Sequence, residues 1–366
     1  MAKINCVVIK TFHYIIRGII PGVLILFIHF SLISLFKNDA YLTTKYYQNG
    51  LFSFFRQGFD NTLAYADFPW IYLILPLVLL FMIWDLLSRK GDKKWLKRFS
   101  FLFNYSSLFF FLFYVFWGYN YYAVQLDSRM GFDSHKIELG EDYITDKLNS
   151  LLPQLNPQRA SIEDSRLLSI DSKIIENEIR PHLKKFLSDY GYETSSDSRV
   201  KSLFPGALMR LRTSGIYIPY VFEGYFDSSI YPSQWPFTIA HEMAHAYGVT
   251  DEKECNFIAF IVCMKSKNPV VNYSAMIAYW RYLAFALLKT NREKYLELRS
   301  KLSSSVQTDL DKINESIQKY PEWFPKSRDK IYDQYLKSHG IAEGIISYDK
   351  MLEMIELWNL SKQLNY

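Results

Sequence analysis

Phe237-Thr238-Ile239-Ala240-His241-Glu242-Met243-Ala244-His245-Ala246-Tyr247-Gly248 is the stretch on which the fold turns. It contains the pattern H-E-x-x-H as His241, Glu242 and His245. Residues four apart on a helix share a face, so both imidazoles can bind one zinc ion, and the glutamate between them can reach a water held on that metal. Zinc lowers the pKa of such a water toward neutrality and polarises a carbonyl. Glu242 is then placed to take the proton as general base and deliver it to a leaving amine. The flanks from Phe237 to Tyr247 are uncharged and free of proline, as a helix buried under a metal site requires, and His241 and His245 are two of only three histidines after Val200.

Working downstream, Gly248 can end this helix and Thr250-Asp251 can begin another that runs to Cys263. The second helix is apolar almost all round yet holds Glu254 in its first turn. A catalytic zinc takes a third protein ligand and leaves the fourth position to water, and Glu254 is the candidate. Three alternatives stay open: a capping box with Asp251 as cap and Glu254 at the third helical position, Glu252 or Asp251 as the ligand, or Asp251 bound to an imidazole nitrogen that does not hold the metal. Hydrolysis also needs a donor for the oxyanion. Tyr348, His339, Tyr335 and Arg281 lie in the C-terminal part and spacing does not choose among them; Tyr348 is carried forward as the expected donor. Upstream, Gly215-Ile216-Tyr217-Ile218 reads as a strand, and Pro219 puts it at a sheet edge. An extended peptide substrate could add to these four residues by backbone hydrogen bonds, or the edge could be structural only.

Helical patterns over 141–152 and 172–190 precede the strand region, and helical patterning resumes beyond Phe237 with breaks near Val249, Asn268, Pro321 and Gly340. Strands followed by helices indicate an α+β domain over 125–366: a small sheet with an edge strand, the H-E-x-x-H helix and a helical C-terminal part.

The first third differs in kind. A chain of 366 residues has room for two domains, and its 49% hydrophobic content is concentrated rather than spread evenly. Three apolar runs, about 19–36, 70–87 and 99–117, each match the length of a helix crossing a bilayer and lack a polar stripe. They define a membrane domain over 1–124. No small-residue cleavage site follows the first run, so it is read as retained. Arg89, Lys90, Lys93, Lys94, Lys97 and Arg98 crowd the short connection after the second run, which by the positive-inside rule is cytoplasmic. Lys3, Lys10 and Arg17 favour a cytoplasmic N-terminus, and three crossings then carry everything after about Tyr119 to the outer side. The net charge of +5 has its largest cluster in that one connection, which argues against nucleic acid as a partner. Cys255 and Cys263 lie eight apart in one helix, ~12 Å at the α-helical rise. That separation is too long for a disulfide, and no cysteine zinc cluster is on offer.

Three apolar spans, Trp117-Gly118-Tyr119-Asn120-Tyr121, Ser214-Gly215-Ile216-Tyr217-Ile218-Pro219, Pro236 to His245, Glu254-Cys255-Asn256-Phe257-Ile258-Ala259 and Ser347-Tyr348 occur in order. In this ordered set the chain resembles the bacterial domain-of-unknown-function family 3810, which is similar to gluzincin-type metallopeptidases. The resemblance implies a zincin-like domain outside the bacterial inner membrane and supports Glu254 over Glu252 as third ligand. Two positions depart from the family pattern: Cys255 stands where alanine is usual, and Tyr247 where a polar residue is.

The expected function is therefore a membrane-anchored zinc metallopeptidase acting on a peptide or protein substrate, with Zn2+ on His241, His245 and Glu254, Glu242 as base and the lipid bilayer as a further partner. The competing expectation is a membrane-bound sensor or scaffold that binds zinc or a peptide without turnover. Glu242 separates the two, because a binding-only site needs no general base beside its first ligand.

Overall fold

The computed structural model describes residues 2–88, 94–132, 137, 139–323 and 348–364. Two compact units emerge: Met1–Phe55, Phe68–Ala123 and Pro219–Val221 form one, and Arg56–Asp67, Val124–Ile218 and Phe222–Tyr366 form the other.

The first unit holds helices α1 (Ala2–Asn38), α2 (Ile71–Ser88) and α3 (Lys94–Phe116). Within them Gly18–Asn38, Ile71–Ser88 and Lys94–Phe116 are long and apolar enough to cross a membrane. No residue of α2 is buried, and the helix is apolar all round. α1 packs on α3 where Gly22 leaves space; a Cβ there would lie 2.7 Å from Asn104 Oδ1. Asn104 uses that proximity, accepting from Gly22 N and donating to the Gly18 carbonyl, both at 2.9 Å. A polar side chain between apolar helices is thereby satisfied by backbone, the pattern that lets small residues join membrane helices. His29 is likewise enclosed, its Nδ1 3.0 Å from the Tyr119 hydroxyl.

The second unit is mostly helical around a three-stranded mixed sheet, so helices dominate the expected α+β character. α4 (Glu141–Ala160) and α5 (Ser172–Asp189) come first. The strands β1 (Val200–Leu203), β2 (Gly215–Ile218) and β3 (Glu223–Asp227) follow. The strand order is β1-β3-β2, with β1 parallel and β2 antiparallel to β3, which leaves β2 at an edge as Pro219 requires. Register pairs Gly215 with Phe226 and Tyr217 with Gly224. Then come α6 (Trp235–Ala246), α7 (Glu252–Met264), α8 (Pro269–Thr290), α9 (Arg292–Ser300), α10 (Ser304–Gln318) and α11 (Tyr348–Leu364). α6 lies between the sheet and α7, with Ile239, Ala240, Met243 and Ala244 fully buried. Cys255, Phe257, Ile258 and Val262 of α7 and Val271, Tyr273 and Leu283 of α8 continue the same core. Arg56–Asp67, between the first two long apolar helices in sequence, belongs to this unit and not to the helices that flank it.

Candidate metal centre

α6 begins with Pro236 in its first turn, where a missing N–H costs nothing, and the Phe237 N–H is met by Ser274 Oγ at 3.1 Å. It ends in a left-handed turn: Gly248 has φ +87°, which only glycine adopts cheaply, and Val249 N returns to the Ala244 carbonyl. This turn brings the Val249 carbonyl oxygen to 2.8 Å from His245 Nδ1. A carbonyl has no proton to give, so Nδ1 carries a hydrogen and Nε2 is the nitrogen left for a metal.

α7 supplies the other half. Asp251 caps it by accepting from Lys253 N at 2.9 Å, which starts the helix at Glu252. Glu252 and Asn256, four apart, share the face turned to α6. Asn256 Oδ1 lies 2.8 Å from His241 Nδ1 and so fixes that ring in the same tautomer as His245. The two Nε2 atoms stand 3.1 Å apart, and Glu252 Oε2 is 3.0 Å from one and 3.6 Å from the other. Ligands of a tetrahedral zinc bound at ~2.0–2.1 Å are separated by roughly 3.3 Å, so these three atoms have the spacing of one face of such a site. The Glu252 side chain is 37% exposed, so the cluster is open to solvent on that side.

Cys255 also joins the group. His241, His245 and Cys255 offer ligand atoms that lie within 4.8 Å of one another, and the three could hold a metal ion. The Cys255 sulfur, however, sits 3.3 Å from His245 Nδ1, on the side of the ring that bonds Val249. Burial pushes its thiol up to about 12, and a metal wants the thiolate. Glu252 on the Nε2 side is the better-placed third donor. Cysteine spacing, read only for disulfides and cysteine clusters, had no way to place a single thiol behind an imidazole.

Glu254 is placed elsewhere. Two residues along a helix is a rotation of roughly 200°, so Glu252 and Glu254 face opposite ways. Glu254 is fully buried and its Oε1 accepts from Asp127 N at 2.9 Å. It does not complete a capping box, although Asp251 does cap. Burial, reinforced by the Asp251 and Asp127 carboxylates, holds the Glu254 carboxyl well above the usual carboxylate range. The carboxylate at the imidazole pair is that of Glu252, which the sequence offered as an alternative, while Glu254, the expected third ligand, accepts from Asp127.

Glu242 lies on the sheet side of α6. Its carboxylate fits against Gly215, where a Cβ would come within 2.8 Å of the carboxyl carbon, and its Cβ fits against Gly224. Glu242 is 4% exposed and its Oε2 is buried without a hydrogen-bond partner. Burial lifts its carboxyl to about 7, with the His241 and His245 imidazoles pulling the other way. An orphaned buried carboxylate beside paired imidazoles marks a place shaped for something besides protein. Gly215 to Ile218 form the edge strand as expected, with Gly215 buried and Ile216 exposed. Of the expected oxyanion donors, Arg281 is on α8, Tyr348 begins α11 with its side chain outside the described residues, and His339 and Tyr335 lie outside them altogether.

A mostly helical unit on a small mixed sheet, with two imidazoles and two carboxylates gathered between α6, α7 and the edge strand, is the class of protein that the fold and site define. The chain belongs to the family described as "Protein of unknown function (DUF3810)", whose model matches residues 47–355. No curated protein and no solved structure matches it.

Proposed function

We propose that the chain is a membrane-anchored zinc metallopeptidase of zincin-like, gluzincin type, with His241, His245 and Glu252 as the protein ligands and Glu242 as general base. The observation that carries this reading is the convergence of the His241 and His245 Nε2 atoms with Glu252 Oε2, beside the unpartnered Glu242 carboxylate. Zinc held there supplies a Lewis acid that acidifies water and polarises a peptide carbonyl. Glu242 takes the proton of the attacking water and hands it to the departing amine as the carbon–nitrogen bond breaks. Burial, which raises the Glu242 carboxyl, favours its holding the proton between the two transfers. Asn256 and the Val249 carbonyl hold the imidazoles in the ligating tautomer. The outer edge of β2 offers backbone groups to an extended peptide or protein substrate, and Gly215 would bring that peptide past Glu242.

The three apolar helices anchor this unit in the bacterial inner membrane. Arg56–Asp67 belongs to the second unit together with Val124–Ile218, which supports a topology with the connection after the first span and the chain after the third on one side of a bilayer. Three crossings fit that topology. The basic residues from Arg89 to Arg98 support a cytoplasmic N-terminus and a second unit outside.

The test is cleavage of an internally quenched peptide library by the detergent-purified chain. Cleavage that stops with a chelator, returns with zinc and is missing in Glu242→Gln supports the proposal. Equal cleavage by Glu242→Gln, or none by the wild type, sinks it.

A further inference from the structure

We propose that Arg56 is a positioning residue of the metal centre, acting through Tyr247 on His245; the inference rests on the metal site proposed above. Arg56 lies on the short helix Ser53–Asp60, far from the H-E-x-x-H motif in sequence and next to the apolar helices, yet it is buried to 1% exposure within the second unit. Its guanidinium lies over the Tyr247 ring, 4.5 Å from the centroid. Its Nη2 donates to the Glu193 carbonyl at 3.0 Å and its Nε to Ser196 Oγ at 3.3 Å, while Asp60 Oδ2 stands 3.6 Å from Nε. Ser196 Oγ in turn donates to Asp60 at 2.7 Å, and the Tyr247 hydroxyl donates to the Ser196 carbonyl at 2.8 Å.

These contacts close a ring around the end of α6. A buried guanidinium is costly to desolvate, so it stays only where several partners hold it rigidly, and here one of those partners is an aromatic face. Tyr247 is the residue at which α6 stops, and the turn it opens returns the Val249 carbonyl to His245 Nδ1. Arg56 also brings positive charge to the negative end of that helix. The orientation of His245 therefore depends on a turn clamped from outside by a residue of the connection between the first two apolar helices. Lysine cannot replace Arg56 in this role, because it lacks the planar fork that stacks and bonds in two directions at once.

The experiment uses the full chain in detergent, stripped with a chelator and reloaded with cobalt(II). The visible d–d absorption reports ligand geometry, and the rate at which a chelator removes cobalt reports how firmly the ligands are held. Arg56→Lys, which keeps charge and most of the stem, should shift the band and release cobalt about tenfold faster, within the range seen when outer partners of ligands are lost. Tyr247→Leu should do the same. The double variant should be no faster than either single one, because the two residues act in series. A wild-type band and release rate in Arg56→Lys or in Tyr247→Leu would overturn the proposal, as would a double variant whose effect is the product of the two. Wild type that takes up no cobalt would bring down the metal site and this inference together; uptake with an indifferent Arg56 would bring down this one alone.

Discussion

Two of the carboxylates buried in the second unit, Asp309 and Glu242, are held in opposite ways. Asp309 of α10 is 1% exposed and fully engaged: Arg159 Nε donates to it at 2.5 Å, and the hydroxyls of Tyr273 and Tyr231 at 2.7 and 3.1 Å. Glu242 of α6 is almost as deeply buried, yet its Oε2 bonds nothing and its neighbours are glycines and imidazoles. Folding stability selects the first arrangement, since a buried charge with every lone pair met holds three helices in register. It selects against the second, since an unmet carboxylate costs free energy. On the proposed reading, the difference separates an acid that is there for architecture from one that is kept for chemistry, at the expense of the fold.

The largest expected effect breaks that comparison at the chemical end. Glu242→Gln should lower peptide cleavage by about 10²–10⁴-fold, the usual share of general acid–base catalysis, with metal content unchanged. At the architectural end, Asp309→Ala leaves Arg159 buried without its main partner and should cost about 3–5 kcal/mol of stability, read as a lowered urea midpoint in detergent. Equal stability losses from the two substitutions would erase the distinction.

pH sharpens it further. Burial raises the folded-state pKa of Glu242 from the ordinary 4.5 to about 7, so in chelator-treated protein the folded chain holds that proton more tightly than the unfolded one. The stabilisation is complete below pH ~4.5 and is lost as the pH rises through about 7. Relative to Glu242→Gln, metal-free wild type should lose on the order of 3 kcal/mol across that window, whereas Asp309→Asn should leave this pH dependence in place. A smaller effect is expected at the cradle itself. Gly215→Ala puts a methyl group into the Glu242 carboxylate and should cost about 1–3 kcal/mol by overpacking, together with a loss of cleavage that no other β2 substitution of similar size produces.

Much of this was legible in sequence, and the reasons are local. Apolar runs of bilayer length need no tertiary information, and the runs read as 19–36, 70–87 and 99–117 overlap the helical segments Gly18–Asn38, Ile71–Ser88 and Lys94–Phe116. The strand Gly215–Ile218 and its edge position follow from β-branched and aromatic residues stopped by a proline. His241 and His245 meet because four residues make about one helical turn. The choice between Glu252 and Glu254 was not legible, because which side of α7 faces α6 is decided by packing and both residues sit in the same first turn. The i,i+4 pair Glu252 and Asn256 was the available signal, since both have groups that an imidazole pair can use. Arg56 was hidden for another reason: its partner Tyr247 is almost two hundred residues away, and a connection between apolar runs looks like a linker until the unit it packs into is known. The Arg56 and Asp60 spacing of four on a helix was the only trace.

Metal content measured by mass spectrometry, on the detergent-purified chain beside Glu252→Ala and Glu254→Ala, tests the centre most directly. The expected result is about one zinc per chain in the wild type, retained in Glu254→Ala and lost in Glu252→Ala. Zinc lost from Glu254→Ala and kept in Glu252→Ala would contradict the assigned third ligand, and a wild type without stoichiometric metal would contradict the metallopeptidase itself.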